Sequence, residues 1–193
     1  MRKLIVTALV SLDGYFDGPG GNVMAMPFDI NFDPYCAERL RAADIMLLGR
    51  TTWEGFQGYW PPVKDNPDAS EPEREVSRLN GAIQKVVVSD SLPEQLTGPW
   101  AETSRVVRRA DSHAHVAELK AQDGKDIIMF GSRTVWNDLL AAGLVDELHV
   151  IVGAGIVGGG TPAFQTAPPK GLRLLGTRTF EEGNNIVIRY ATS

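Results

Sequence analysis

The residues best suited to chemistry begin where an apolar run breaks at a glycine. Residues 45–48 are uniformly apolar, and the run is followed by Gly49, Arg50, Thr51 and Thr52. A threonine here can cap a new helix, whose first N–H groups then face outward at the positive end of the helix dipole. Because an arginine beside such a helix end can pair with an anionic oxygen, this stretch predicts an anion-binding site.

A second stretch, late in the chain, repeats this order. Residues 126–130 predict a buried strand, and they are followed by Gly131, Ser132, Arg133 and Thr134. Residues 135–140 then place apolar side chains at helical spacing, and Gly143 ends the helix. Because the order of strand, glycine and helix occurs twice, we expect a phosphate contact here too, although an ordinary strand-to-helix turn would have the same sequence.

Hydroxyl groups follow a third apolar run. Residues 85–89 predict a buried strand, and Ser89 and Ser91 lie at its carboxyl end. The two serines either contact a ligand or simply end the strand.

Apolar runs and turn residues predict the elements that position these groups. Strands are predicted at residues 4–12, 45–48, 85–89, 106–107, 126–130 and 145–152, and residues 172–180 with 184–190 predict an antiparallel hairpin. Helical patterns separate the early strands. The sequence therefore predicts an α/β fold, a three-layer α/β/α sandwich whose mostly parallel central sheet ends in a C-terminal antiparallel hairpin. Ligands are expected beyond the carboxyl ends of the strands.

Two further stretches are interpreted as loops. Residues 60–78 are rich in proline and acidic residues, which predicts a surface excursion and a lid, with a short helix around residues 73–80. Residues 153–158 match the dinucleotide pattern G-x-G-x-x-G, but that pattern requires a helix to begin there. The glycines at 158–160 and the nearby prolines exclude this helix, so we interpret the stretch as a glycine-rich loop that allows close backbone approach.

Composition limits the classes of function. The chain has 193 residues, of which 43% are hydrophobic, and we interpret residues 1–193 as one domain. A net charge of −5 gives no indication of nucleic-acid binding, and no apolar run is long enough for a signal peptide or a membrane span, so a cytoplasmic protein is expected. Cys36 is the single cysteine, and His113, His115 and His149 lack metal-ligand spacing, so no metal site is predicted.

Four stretches, and their order along the chain, resemble a known family. They are residues 11–14 (SLDG), 48–54 (LGRTTWE), 128–132 (IMFGS) and 144–148 (LVDEL) with the glycines at 158–160. They resemble the dihydrofolate reductase-like fold and, within it, the reductase domain of riboflavin biosynthesis, the RibD C-terminal domain. The resemblance covers nearly the whole chain and implies an NADPH-dependent reductase. It also implies that the cofactor is held by the three groups of residues described above, namely Gly49 to Thr52, Ser89 with Ser91, and Gly131 to Thr134.

The resemblance also makes Asp33 the candidate catalytic residue. Its distance from Gly49 resembles that of the acidic residue that contacts and helps to protonate the substrate in dihydrofolate reductases. Asp33 and Pro34 also match a helix start, with aspartate as the N-cap and proline in the first helical position, and this explanation needs no chemistry. Asp13 and Asp29, on neighbouring loops, are the alternative carboxylates.

Two functions remain open at this stage. One is a reductase that passes a hydride from NADPH to a small heterocycle, either a dihydropterin or a ribosylaminopyrimidine. The other is a non-catalytic nucleotide-binding module that retains the fold and the phosphate loops. We expect NADPH to be preferred to NADH through Arg50, Ser89 and Ser91. We also expect a homodimer formed at an apolar edge comprising residues 145–152 and the closing hairpin, where the related reductase domains pair.

Overall fold

The longest apolar runs form strands that are buried on both faces. The structure is a computed structural model that describes residues 2–192. Its strands are β1 (Leu4–Ser11), β2 (Ala43–Gly49), β3 (Gln84–Val88), β4 (Ser104–Val107), β5 (Asp126–Phe130), β6 (Glu147–Gly153), β7 (Arg173–Arg178) and β8 (Ile186–Ala191). Its α-helices are α1 (Phe32–Arg41), α2 (Arg50–Val63), α3 (Glu71–Ala82), α4 (Ser112–Ala121) and α5 (Arg133–Ala141).

The strands within residues 2–192 form one sheet in the order β4-β3-β2-β5-β1-β6-β8-β7. The pairs from β4 to β6 are parallel, whereas β8 is antiparallel to both β6 and β7. This confirms the mostly parallel sheet with a C-terminal antiparallel hairpin. It also places the carboxyl ends of β4, β3, β2 and β5 side by side along one edge.

Helices cover both faces of the sheet. On one face, strand residues such as Leu47 pack with Val116 of α4 and Trp136 of α5. On the other face, Met46 and its neighbours pack with residues of α1, α2 and α3. Successive residues of β2 therefore serve opposite cores, which explains why its sequence is apolar throughout rather than alternating.

The stretch at 60–78 is only partly the surface excursion that its composition predicts: residues 64–70 form an exposed connection and the short helix around residues 73–80 is part of α3, but the remainder is also helical. Helix α2 continues through Pro61 and Pro62 to Val63, and α3 begins at Glu71 with a capping box formed by Ser70 and Glu73. Trp60 and Val63 are buried, so the apolar contact extends the helix past two prolines. The hydroxyl of Ser77 donates to the Trp60 carbonyl at 2.5 Å, which satisfies an acceptor at the end of α2.

The expected apolar edge at residues 145–152 is also wrong. Strand β6 lies inside the sheet, paired with β1 on one side and β8 on the other. The edge strands of the described sheet are β4 and β7. Sequence patterning identifies a buried strand, but strand order depends on which strands pair at long range.

Candidate functional site

Helix α2 begins immediately after β2, with no residue between them. Gly49 is the last residue of β2 and the N-cap of α2, and no side chain caps the helix. Thr51 and Thr52 lie inside the first turn, so the prediction that one of them caps the helix is wrong. The first N–H groups of α2 have no partner within the helix, which leaves them available to a ligand at the carboxyl edge of the sheet.

The turns after β2 and β5 are joined by hydrogen bonds. The Gly49 N–H donates to the Ser132 hydroxyl at 2.9 Å, and the Ser132 N–H donates to the Thr52 hydroxyl at 2.8 Å. Gly131 has φ +56°, and a Cβ there would lie 2.7 Å from Thr52 Cγ2, so this position requires glycine. Ser132 is itself left-handed at φ 53°, an unfavourable conformation that the two hydrogen bonds hold in place. The N-termini of α2 and α5 are therefore fixed side by side.

Beside them, the end of β3 forms a tight turn around a buried serine. Ser89 is 4% exposed, and its hydroxyl accepts the N–H groups of Ser91 at 3.2 Å and Leu92 at 3.1 Å. The Ser91 side chain is on the surface. Ser89 thus stabilises the turn, whereas Ser91 keeps its hydroxyl at the solvent side.

Two arginines after β4 complete this edge, and neither was among the residues selected from the sequence. Arg108 donates from Nη1 to the carbonyls of Ser89 at 3.1 Å and Leu92 at 2.8 Å, which ties β4 to the β3 turn. Arg109 follows on the surface, beside Asp90. In the sequence they are recognisable only as two basic residues directly after a short predicted strand. That pattern indicates a place at the cavity only once β4 is known to lie next to β3.

These turns enclose a cavity of about 500 Å³. All of the predicted cofactor residues except Gly131 line it, namely Gly49, Arg50, Thr51, Thr52, Ser89, Ser91, Ser132, Arg133 and Thr134. The sequence prediction did not include Asp17, Asp90, Arg109 or Thr161, which also line the cavity. The volume is within the range of small-molecule and cofactor sites.

Cationic groups at this cavity are only partly neutralised. Arg50 pairs with Glu54, one helical turn later, at 3.0 Å, and both side chains are nearly half exposed. Arg133, which also lines the cavity, donates from Nε to the carbonyl of Pro162 and from its terminal nitrogens to the Gln165 side-chain oxygen, and no carboxylate pairs with it within residues 2–192. An exposed ion pair of this kind contributes little to stability, so an anionic ligand can compete for Arg50 at small cost.

Asp33 lies away from this cavity and does not cap α1. The helix begins at Phe32, and its N-cap is Asn31, so the capping prediction is wrong. Phe32 packs edge-on against Phe28 with ring centroids 4.8 Å apart, and this contact draws the residue before Asp33 into the helix. Burial, with a smaller contribution from Glu73, raises the pKa of Asp33 to about 6. Within residues 2–192, no hydrogen bond reaches its half-buried carboxyl group.

The two alternative carboxylates are bound into loops. Asp13 accepts the N–H groups of Val157 at 3.2 Å and Gly158 at 2.9 Å. Asp29 accepts the N–H groups of Asn184 and Asn185, each at 3.0 Å. These bonds give both residues a structural role that Asp33 lacks.

The glycine-rich stretch at 153–158 forms the expected loop, and within residues 2–192 the chain continues from β6 to β7 and β8 without a helix. A Cβ on Gly153 would lie 2.2 Å from the Pro27 ring, so this glycine permits close packing of two loops. No group of three or more histidine, cysteine or carboxylate side chains within residues 2–192 could hold a metal ion. Nor is any helix in that range both long and apolar enough to cross a membrane.

Comparison with known proteins places this geometry in a family. The model of the RibD C-terminal domain matches residues 2–186. The uncharacterized protein YyaP of Bacillus subtilis (strain 168) is 28% identical over 185 residues, which cover 94% of this chain and 91% of YyaP.

Two solved structures show the same fold. A pyrimidine reductase-like protein from Corynebacterium diphtheriae superimposes with a TM-score of 0.67 at 17% identity, covering 98% of this chain and 91% of that chain. Dihydrofolate reductase from Enterococcus faecalis, complexed with NADP(H), superimposes with a TM-score of 0.63 at 17% identity, covering 98% and 95%. These similarities confirm the resemblance seen in the sequence and a reductase-type fold.

Proposed function

The chain belongs to the RibD C-terminal domain family, and we propose that it is a reductase that uses NADPH to reduce a small heterocyclic substrate. The observation that carries the proposal is the cavity at the paired N-termini of α2 and α5, where nine of the predicted cofactor residues converge. The proposal treats residues 1–193 as one domain, because every strand of residues 2–192 belongs to the one sheet.

The residues around the cavity fit the charge and size of a dinucleotide phosphate. Unpaired N–H groups of α2 and α5, the Arg50 and Arg133 guanidinium groups and the Thr51 and Thr134 side chains all lie at the same edge. Helix N-termini and arginines favour phosphate oxygens, and the four groups come from two elements that are fixed relative to each other by Ser132 and Thr52. The Enterococcus faecalis reductase with the same fold is complexed with NADP(H).

When bound, NADPH supplies the hydride, and the protein supplies binding, orientation and a proton. In the proposed division of roles, Gly49 to Thr52 and Ser132 to Thr134 form the site for the cofactor phosphates, within which Thr52 and Ser132 join the two turns and the other residues face the ligand. Ser91 contacts the cofactor further along the cavity, and Ser89 and Gly131 act indirectly, by shaping the two turns. Asp33 contacts the substrate in this proposal, as the family resemblance implies, and its pKa of about 6 is compatible with a proton-donating role near neutral pH.

The proposal includes a homodimer, but at a different surface from the expected edge. Register places Val150 opposite Ile188, and Tyr190 opposite Leu174, so these side chains share one face of β6, β8 and β7. They are half-buried or exposed, and Leu174 is 56% exposed. An apolar sheet face of this kind suits a twofold interface between two copies of the chain.

Binding and turnover measurements separate the proposal from a non-catalytic nucleotide-binding module. Calorimetric titration should show NADPH binding, and NADPH should be consumed when dihydropterin or ribosylaminopyrimidine substrates are added. Arg50→Gln should weaken NADPH binding by about 10-fold or more, because a charge-assisted contact is lost. Arg78→Gln, which removes an equally charged surface residue from α3, is the control and should leave binding unchanged. Binding without consumption of NADPH with any substrate would favour the module.

A further inference from the structure

One end of the cavity holds an ion pair that the proposed function does not use. Asp90 follows β3 and Arg109 follows β4, and both line the cavity. Asp90 Oδ1 accepts the backbone N–H of Arg109 at 2.9 Å, whereas the Arg109 guanidinium Nε lies 3.6 Å from Asp90 Oδ2. The carboxylate is therefore anchored to backbone, and the guanidinium is held only by a loose ionic contact.

The groups around this pair are already committed to the fold. The Arg108 guanidinium donates to two carbonyls of the β3 turn, and the Ser89 hydroxyl accepts two N–H groups of the same turn. Recognition of a ligand at this end of the cavity therefore depends on Asp90, Ser91 and Arg109. The side chains of Asp90 and Arg109 are 61% and 64% exposed, and an ion pair this exposed costs little to open.

The pair lies beside the first anion site, at the ends of the next two strands of the sheet. Neighbouring strands are about 4.8 Å apart, so the end of β3 is roughly 5 Å from the end of β2, and the end of β4 is roughly 10 Å from it. The cavity thus offers one anion site at the N-termini of α2 and α5 and a second charged position on its β4 side. NADPH carries two separate anionic groups, the pyrophosphate and the phosphate on its adenosine ribose, whereas NADH carries only the first.

Asp90 and Arg109 favour opposite choices of cofactor. In Rossmann-fold dinucleotide sites a carboxylate accepts hydrogen bonds from an unmodified ribose, whereas an arginine accommodates a 2′-phosphate, and the same chemistry applies to a carboxylate and an arginine at the end of this cavity. We propose that the Asp90–Arg109 pair sets cofactor selectivity, with Arg109 binding the 2′-phosphate and Asp90 opposing it by repulsion. The inference rests on the proposed function. It adds that Asp90 makes the preference of the native protein for NADPH weaker than Arg109 alone would make it.

The test is a set of calorimetric titrations of the full chain with NADPH, NADH, adenosine 2′,5′-bisphosphate and 5′-AMP. Arg109→Gln retains the backbone N–H that anchors Asp90 and should weaken NADPH and the bisphosphate by about 10-fold or more. NADH and 5′-AMP should change by less than about 2-fold, because they lack the contacting phosphate. Asp90→Asn retains the Oδ1 acceptor and should tighten NADPH by about 3-fold to 10-fold, since one like charge near the phosphate is removed.

Matched controls exclude a general effect of net charge. Arg105→Gln changes an exposed arginine at the other end of β4, and Asp123→Asn changes an exposed aspartate in the loop before β5. Both should leave all four affinities unchanged, and thermal unfolding of each variant checks that it is folded.

The outcomes distinguish the two proposals. NADPH binding by the native protein that is unaffected by Arg109→Gln and Asp90→Asn would overturn the selectivity role and leave the proposed function standing. Equal losses for NADPH and NADH in Arg109→Gln would also overturn it, because the arginine would then serve a part common to both cofactors. Failure of the native protein to bind either cofactor would overturn both proposals.

Discussion

Replacing Asp33 by asparagine should change the pH dependence of stability in a defined direction. Burial raises the pKa of Asp33 from 3.8 to about 6, so the native state binds a proton more tightly than the unfolded chain. Where the native state binds more protons, the free energy of unfolding falls as pH rises. The ionised carboxyl group therefore destabilises the native protein progressively between pH 3.8 and about 6. Asparagine removes the charge and nearly preserves the shape.

The magnitude follows from the pKa and the exposure. One pKa unit corresponds to about 1.36 kcal/mol, so a rise from 3.8 to about 6 would amount to about 3 kcal/mol for a fully buried group. Asp33 is only half-buried, and screening by solvent reduces this to roughly 1.5 kcal/mol. About 1 kcal/mol of it should develop between about pH 4 and about pH 7.5, because the unfolded carboxyl group is already partly ionised at the lower value.

Urea unfolding followed by tryptophan fluorescence measures this effect. Asp33→Asn should gain about 1 kcal/mol relative to the native protein on going from about pH 4 to about pH 7.5. Asp123→Asn, at an exposed loop position, should show no such gain. A stability difference between Asp33→Asn and the native protein that is constant over this range would refute the buried-carboxyl reasoning.

The same variant tests the proposed catalytic role. If Asp33 orients or protonates the substrate, Asp33→Asn should lower the rate of hydride transfer by about 10²-fold while NADPH affinity stays the same. The affinity should be unaffected because Asp33 does not line the cofactor cavity. Full activity in Asp33→Asn would transfer the search to a bound water or to Asp17, the carboxylate of the β1–α1 loop that lines the cavity.

Two further predictions concern the assembly of the protein and the buried side chain of Lys85. Ile188→Asp should convert a dimer to a monomer in light scattering at micromolar concentration, because it places a charge on the shared face of β6, β8 and β7; a native monomer would contradict the proposed assembly. Burial lowers the pKa of Lys85 to about 8, and its Nζ lies 4.5 Å from the Trp100 ring centroid and donates to the Ile83 carbonyl. The native protein therefore bears the cost of burying this charge below about pH 8 and recovers it as pH rises toward 10.5. Lys85→Met should remove this rise in stability, as measured by urea unfolding across that range, and an unchanged slope would count against a buried ammonium.

Much of the sheet is encoded locally. Runs such as residues 45–48 and 127–130 are apolar on both faces, which is the pattern of a strand buried between two helical layers. Gly49 and Gly131 were predictable as the ends of these strands because each glycine interrupts an apolar run. The anion-binding character of the two turns also follows from local sequence, because an arginine and hydroxyl residues directly follow each glycine.

Helix boundaries were decided by tertiary contacts. Asp33 has the local pattern of an N-cap that would start the helix at Pro34, but α1 starts two residues earlier at Phe32, which packs against Phe28. Pro61 and Pro62 have the local pattern of a loop, but burial of Trp60 and Val63 keeps them in α2. In each case the packing of apolar side chains outweighed a local preference of about 1 kcal/mol for a cap, or of about 3 kcal/mol for a helix-interior proline.

The arrangement of residues in the site could likewise not be predicted from the sequence. The order of strands places β4 next to β3, and this alone brings Arg109 to Asp90, 19 residues earlier in the chain. The same long-range pairing decides which hydroxyls remain available, since Ser132 and Thr52 are used to join two turns while Ser91 stays at the surface. Residue types and local spacing determined that this protein has an anion site at strand ends. Strand order, a property of hydrogen bonds between segments far apart in sequence, decided which charged groups meet there.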